Sequence, residues 1–423
     1  MSLRPCFAYS CFIAAAMLAG PASASAQTVD AQTVRQEIDA LRKELNAIQK
    51  QYGDRLAALE LRLGAAPSGD VAAPATVPPV AAPVQQTGQG GGLTSKVFNP
   101  DMAMVGNFLG SGGRNIVSPG PALEMRESEA SFQAVVDPYA RADFFLSFGE
   151  EGVGLEEGFV TFTSLPGGLL TKVGKMRAAF GKVNGLHTHS LPWADRPLVT
   201  GNLVGGEDGI GDAGMSVARL IPAGTVFLEA TGQVFRGDSG DTLFKSSRRS
   251  DLSYVGHLRA YHDLSESTNL DLGASYSYGH NPAGIVNGAD LGRFTTKLFG
   301  VDTTLRWKPL RRAIYHQFVG RSELIWSRRN QFDGLQRAMG YYVSGDYQVA
   351  RRWYVGGRYD RSGRADAASL FDTGQSAIVT YWPSEFSQVR GQYRRTAYAD
   401  GPTANELLVQ FQFAIGAHGA HPF

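Results

Sequence analysis

Cysteine is nearly absent: 423 residues contain only Cys6 and Cys11. No cysteine follows to form a disulfide, accept a lipid or supply a thiolate metal site. Long apolar runs are also scarce. Beyond the first two dozen residues, no stretch approaches the roughly 18 apolar positions of a membrane-spanning helix. Charge of one sign is missing as well, since 40 basic and 39 acidic side chains leave a formal net charge of +1. Such a balance provides no large field to hold nucleic acid.

The first segment that is informative is the start. Arg4 precedes the apolar run FAYSCFIAAAMLAG, and Ala24-Ser25-Ala26 has the small-x-small form of a secretory cleavage site. Residues 1–26 therefore read as a signal peptide that removes both cysteines, so the exported chain begins at Gln27.

From 27 to 64 the apolar positions Val34, Ile38, Leu41, Leu45, Ile48, Tyr52, Leu56, Leu59 and Leu63 recur at steps of three and four. That spacing predicts a coiled-coil helix with one stutter, whose Ile/Leu mixture allows a trimer. Residues 65–95 are rich in Pro, Ala and Gly, and their composition predicts a disordered linker.

Residues 96–423 change character again. ADFFLSF sets Ala142, Phe144, Leu146 and Phe148 against Asp143, Phe145 and Ser147. NLDLGASYSY sets Leu272, Ala274, Tyr276 and Tyr278 against Asp271, Ser275 and Ser277. About sixteen such half-apolar strands can be laid down, joined alternately by short turns (DPY, LPGG, IPAG, LSES, WPSE) and longer segments. Strands of about ten residues with this alternation predict an all-β chain, a transmembrane antiparallel β-barrel of about sixteen strands. A soluble sandwich or propeller is the rival architecture. The ending ELLVQFQFAIGAHGAHPF then reads as a closing strand with Leu407, Val409, Phe411, Phe413 and Ile415 toward lipid, and Phe423 as a signal to barrel assembly machinery.

The opposite parity gives a polar lumen. Arg141, Arg259, Arg306 and Arg321 point inward on this reading, as do Arg358, Arg390 and Arg394, with Lys175 and Arg177 ahead of the longest loop. Acids including Glu129, Asp143, Asp271, Asp302, Glu323, Asp346 and Asp360 share that side. So many charges require pairing or water, and sixteen strands leave room for an aqueous channel. A lumen closed by its own salt bridges is the alternative. The loop 182–213 carries Asp195, Glu207, Asp208 and Asp212; folded inward, it would narrow the pore and set acids against the arginines.

Other chemistry is weakly signalled. GIGDAG (Gly209, Gly211, Gly214) matches GxGxxG but lacks a surrounding βαβ unit. His187 and His189 in GLHTHS form an H-x-H pair that suits Zn²⁺ or Cu²⁺, as do His418 and His421, but two ligands are not a site. No catalytic constellation stands out and no pattern calls for a cofactor.

VGKMRAAFGKVN (173–184), with EEGFVTF upstream, resembles the GK-x-(K/R)-x-x-FG segment of phosphate-selective porins. That resemblance implies a trimeric sixteen-stranded outer-membrane channel, an N-terminal coiled coil in the periplasm, and Lys175 and Arg177 facing the lumen. FNPDM (98–102), WADRPLV (193–199) and the GAH-x-AH-x-F ending also resemble outer-membrane proteins sometimes labelled TonB-dependent receptors. The expectation is a porin passing small ionic solutes by passive diffusion, anion-leaning, bound to outer-membrane lipid, with no nucleic acid partner and no enzymatic role. A gated or receptor-type uptake protein, with metal ions as one cargo, or an envelope tether are the alternatives.

Overall fold

The computed structural model describes residues 100–149, 152–240, 242–286 and 289–416. The expected signal peptide (1–26), coiled coil (27–64) and linker (65–95), with His418, His421 and Phe423, lie outside the described residues.

Period-two alternation becomes a closed antiparallel barrel of sixteen strands, each bonded to its sequence neighbours. The first half comprises β1 (Asp101–Arg114), β2 (Leu123–Asp137), β3 (Ala140–Gly149), β4 (Gly152–Leu165), β5 (Leu169–Arg177), β6 (Gly211–Ala223), β7 (Val226–Phe235) and β8 (Ser253–Ser265). The second half comprises β9 (Thr268–Asn281), β10 (Phe294–Trp307), β11 (Phe318–Gln331), β12 (Gly334–Ala350), β13 (Trp353–Gly363), β14 (Phe371–Ser384), β15 (Ser387–Ala397) and β16 (Thr403–Gly416). The barrel closes where β1 meets β16, from Ala103 opposite Gly416 to Arg114 opposite Asn405. Closure leaves no strand edge with unsatisfied backbone groups, which is the condition for crossing hydrocarbon with strands.

The faces follow the alternation. On β16, Leu407, Val409, Phe411 and Ile415 are exposed on the outer face, whereas Leu408 and Gln410 are buried inside. On β9, Leu272 and Tyr276 face out while Asp271, Ser275 and Ser277 are buried. An apolar exterior over a polar interior inverts a water-soluble protein and suits lipid. Aromatic side chains cluster near the strand ends, as where Trp353 stacks on Tyr381 with ring centroids 4.6 Å apart, a placement that suits the headgroup boundary.

The alternation of short and long connections holds with three departures. Only two residues separate β3 from β4 and β11 from β12, although both connections lie at the long-loop end, and the connection at 308–317 is long at the short-turn end. The longest connection, 178–210, carries a six-residue helix, α1 (Leu198–Leu203), and it goes into the barrel.

Candidate functional site

The loop is pinned at its neck. Ala178 N donates to Ile210 O at 2.8 Å. The Asn184 amide donates to Ala178 O and Ile210 O, both at 2.9 Å, and its Oδ1 accepts from Ile210 N at 2.7 Å. Gly209 sits against that side chain with φ of +59°, where a Cβ would collide with Asn184 Oδ1. Glycine is required there for both reasons.

Past the neck, wall side chains accept the loop's backbone N–H groups. Gln233 on β7 takes Ala179 N at 2.7 Å, and Ser275 on β9 takes Gly181 N at 2.9 Å. Glu323 on β11 accepts from Lys182 N and, at 2.9 Å, from Val183 N. The Lys182 ammonium reaches Asp271 on β9 at 2.6 Å. Further along, Gln392 on β15 accepts from Ala194 N at 2.9 Å and Asp360 on β13 from Leu198 N at 3.2 Å, while Asp372 on β14 accepts from the Asn202 side-chain amide at 2.9 Å. Buried backbone donors must be satisfied, and here the barrel wall does it.

An apolar core lies between the loop and the wall. Phe180, Val183, Leu191, Trp193, Val199 and Leu203 pack with Leu298 on β10, Ile325 on β11, Tyr342 on β12 and Ile378 on β14. Trp193 meets Tyr342 edge-on at 5.1 Å. These inward wall residues break the polar pattern expected of a lumen because the loop, not water, is their neighbour. The anticipated inward loop is therefore present, and at its own level it fills space as well as placing charge.

The acids of this segment divide. Asp195 is buried, with Oδ2 2.9 Å from both Arg358 on β13 and Arg394 on β15, and Gln392 donates to its Oδ1 at 2.5 Å. Burial opposes its ionisation, but the two guanidiniums outweigh that and hold its carboxyl well below the ordinary range. Glu207 is exposed and pairs with Arg126. Asp208 is exposed too, and its carbonyl accepts from Arg177 at 3.2 Å. Asp212 belongs to β6, not to the loop, and pairs with Arg236 at 3.0 Å. Gly211 and Gly214 are also strand residues, so GIGDAG forms no phosphate-binding turn.

The basic positions have these surroundings. Arg141, Arg259, Arg306, Arg321, Arg358, Arg390 and Arg394 occupy the inward parity. Arg141 pairs with Asp143 at 2.7 Å, Arg259 with Asp271 at 2.7 Å, Arg321 with Asp346 at 2.5 Å, and Arg394 also with Glu406 at 2.6 Å. Arg306 lies 3.9 Å from Asp271. Arg390 is buried, donating to Gln410 at 2.7 Å and Thr380 at 3.3 Å. Lys175 departs from the expectation. Its register partners are Gly158 and Ala213, on the parity of exposed Val173 and Met215. It faces outward, and its ammonium reaches Leu155 O at 2.5 Å, as a lysine near a strand end can. Arg177, at the last position of β5, turns to Glu156 on β4 at 3.1 Å.

The histidine pair is buried, not exposed on a loop surface. Its imidazoles lie 5.7 Å apart. Around them stand Glu127 and Glu129 on β2 and Glu156 and Glu157 on β4. His187 Nδ1 contacts Glu129 and lies 3.2 Å from Glu156, and its Nε2 is 2.7 Å from Glu157. Glu127 accepts from His189 N at 3.1 Å. Burial lowers the His187 pKa, but the three carboxylates on its ring raise it further, to about 11.

Parity reasoning found Glu129 among these acids and missed Glu127, Glu156 and Glu157. Glu127 shares the unbroken inward parity of Glu129, and Glu157 that of buried Phe159, so alternation marks both; only Glu156 is placed by a β-bulge. Between β3 and β4, Phe145 pairs with Glu157 but Leu146 pairs with Leu155, leaving Glu156 as the extra residue. Between β1 and β2, Asn107 pairs with Glu127 but Phe108 pairs with Met125, leaving Arg126 extra. A bulge re-aims its side chain and breaks the period of two. A doubled acid inside an otherwise alternating strand, as in EEGF, was the one available signal for Glu156.

No family model matches the chain. It is 27% identical over 336 residues to an uncharacterised protein of Aquifex aeolicus, covering 71% of this chain and 70% of that one. Among solved structures, a loop-deletion mutant of OmpT, an outer-membrane protein of Vibrio cholerae, superposes with a TM-score of 0.51 and 13% identity, over 75% of this chain and 99% of that one. The anion-selective porin from Comamonas acidovorans gives 0.51 and 11%, over 75% and 98%. The fold is that of the outer-membrane porins.

Proposed function

We propose that this protein is an outer-membrane porin through which small hydrophilic solutes diffuse passively, anion-leaning, along a lumen narrowed by the loop 178–210. The observation that carries the reading is the loop itself, seated inside a closed barrel and tied to β9, β11, β13, β14 and β15 by side chains of the wall. Charge in a low-dielectric channel acts on a passing ion more strongly than charge on an open surface. Arg141, Arg259, Arg306 and Arg394 keep partial exposure and are the groups an anion would meet. Their carboxylate partners make the lean modest, and for the same reason a strict phosphate preference has less support than general anion passage. The anion selectivity named for the Comamonas porin agrees with this reading. Single-channel recording of the purified protein in planar bilayers tests it: steady ohmic conductance with a reversal potential on the anion side is expected. No conductance at any voltage would reject it.

A gated channel is the second reading, favoured by the apolar core beneath the loop, because such packing has to separate before a wide path can open. Voltage-dependent steps between closed and open levels would distinguish it from a permanently open pore. In either case we propose a homotrimer joined through the barrel and the 27–64 coiled coil, as one OmpT structure is described in a trimer form, with the coiled coil in the periplasm and Phe423 presented to assembly machinery. Crosslinking of the 27–64 segment, and its loss in Ile48→Asp, tests the coiled-coil part.

A further inference from the structure

We propose that Glu127, Glu129, Glu156 and His187 bind one first-row divalent cation, Zn²⁺ fitting best, and that this ion latches the loop 178–210 to strands β2 and β4.

Each of the four residues offers one ligand atom, and these atoms all lie within 4.8 Å of one another. That spacing allows a single ion to sit between them with metal–ligand bonds of about 2.0–2.2 Å after small side-chain rotations. Three carboxylates with one imidazole form a mixed oxygen and nitrogen set. Imidazole favours zinc and its neighbours over Mg²⁺ or Ca²⁺, which take oxygen.

Two further observations point to a ligand. Glu129 is almost wholly buried, and while its Oε2 contacts His187, its Oε1 accepts no hydrogen bond. A buried carboxylate oxygen without a donor is costly unless a cation supplies the partner. The second observation is the arrangement on the far side of the imidazole. His187 Nε2 lies 2.7 Å from Glu157 Oε1, so an Nε2–H donated there leaves Nδ1 turned to Glu129 and Glu156. A carboxylate that fixes the tautomer of a ligand histidine is the usual support of a zinc site.

The local charge agrees. Four carboxylates crowd His187 and His189, and Arg177 is 3.1 Å from Glu156. An added divalent cation offsets the excess of negative charge. The β-bulge at Glu156 brings consecutive Glu156 and Glu157 onto one imidazole, which a regular strand could not do.

The competing account is a metal-free clamp in which a doubly protonated His187 holds the carboxylates together. The full-length folded protein in detergent, stripped with a chelator and titrated with Zn²⁺ by calorimetry, with bound metal measured by mass spectrometry, separates the two. One Zn²⁺ per chain is expected. Glu129→Gln and His187→Ala should each weaken it at least about 100-fold, while heat-modifiable migration shows that the barrel still folds. Glu157→Gln should weaken it about 10–100-fold by releasing the imidazole. The His418→Ala/His421→Ala variant should bind as the wild type does, and tenfold excess Mg²⁺ should not compete. No Zn²⁺ binding by the wild type would establish the proton-held clamp and overturn the proposal. So would wild-type affinity in Glu129→Gln, or loss of the ion with the C-terminal histidines.

Discussion

Asp195 and Arg358, 163 residues apart in the chain, are joined by two bonds: Arg358 Nη2 to Asp195 Oδ2 at 2.9 Å and Arg358 Nη1 to Asp195 O at 3.1 Å. Both residues are buried. Arg358 also stacks over Trp193, its guanidinium carbon 4.9 Å from the ring centre, and donates to Asp360 at 2.7 Å. One guanidinium thus holds the loop by charge, by a backbone carbonyl and by an aromatic face.

Asp195→Ala should loosen the loop and leave Arg358 short of a buried partner. Breaking a buried pair from one side costs about 3–5 kcal/mol, although Asp360 retains part of the pairing here. A lower thermal midpoint together with raised single-channel conductance is expected. Unchanged conductance in a correctly folded variant would show that the loop does not set the narrowest point.

Arg394→Glu should move the reversal potential in a salt gradient toward cations. Arg394 faces the lumen beside Asp195 and Glu406, so its reversal sets three acids together. Arg395→Glu should do much less, because Arg395 is exposed on the opposite parity. Equal shifts for the two changes would contradict the register.

Gly209→Ala should disturb the neck of the loop, since alanine there meets both a left-handed backbone and the Asn184 Oδ1 atom. Strain of this kind costs about 1–3 kcal/mol. Gly185→Ala is the control, because a Cβ there meets nothing within 4 Å. Limited proteolysis reads the difference: faster cleavage between 178 and 210 in the first variant, none in the second.

Acid should spare the Asp195 contact. A carboxyl whose folded pKa is depressed contributes stability above its ordinary value of 3.8 and loses it only as pH falls through the lower, folded value. The difference in thermal midpoint between the wild type and Asp195→Asn should therefore match at pH 7 and pH 4 and shrink only in stronger acid. A difference that already shrinks near pH 5 would show that the two guanidiniums do not control this group.

The barrel was legible because alternation is a local property. Leu407, Val409 and Phe411 announce an outward face against Gln410 within five residues, and closure follows from strand number and backbone hydrogen bonding. The length and acidity of the segment around Asp195 also marked it before any contact was visible. Lys175 shows where likeness of a short motif misleads, since its side is set by pairing with Gly158 and Ala213.

The sequence by itself thus determined an apolar exterior, a polar interior and one loop too long to be a simple connection. Only the tertiary structure decided what fills the lumen. Leu298, Ile325 and Ile378 face inward because Phe180, Trp193 and Val199 cover them, and those partners lie between 99 and 198 residues away. Glu156 joins Glu157 at His187 because a bulge, defined by the pairing of two strands, inserts a residue that no single strand's period can reveal.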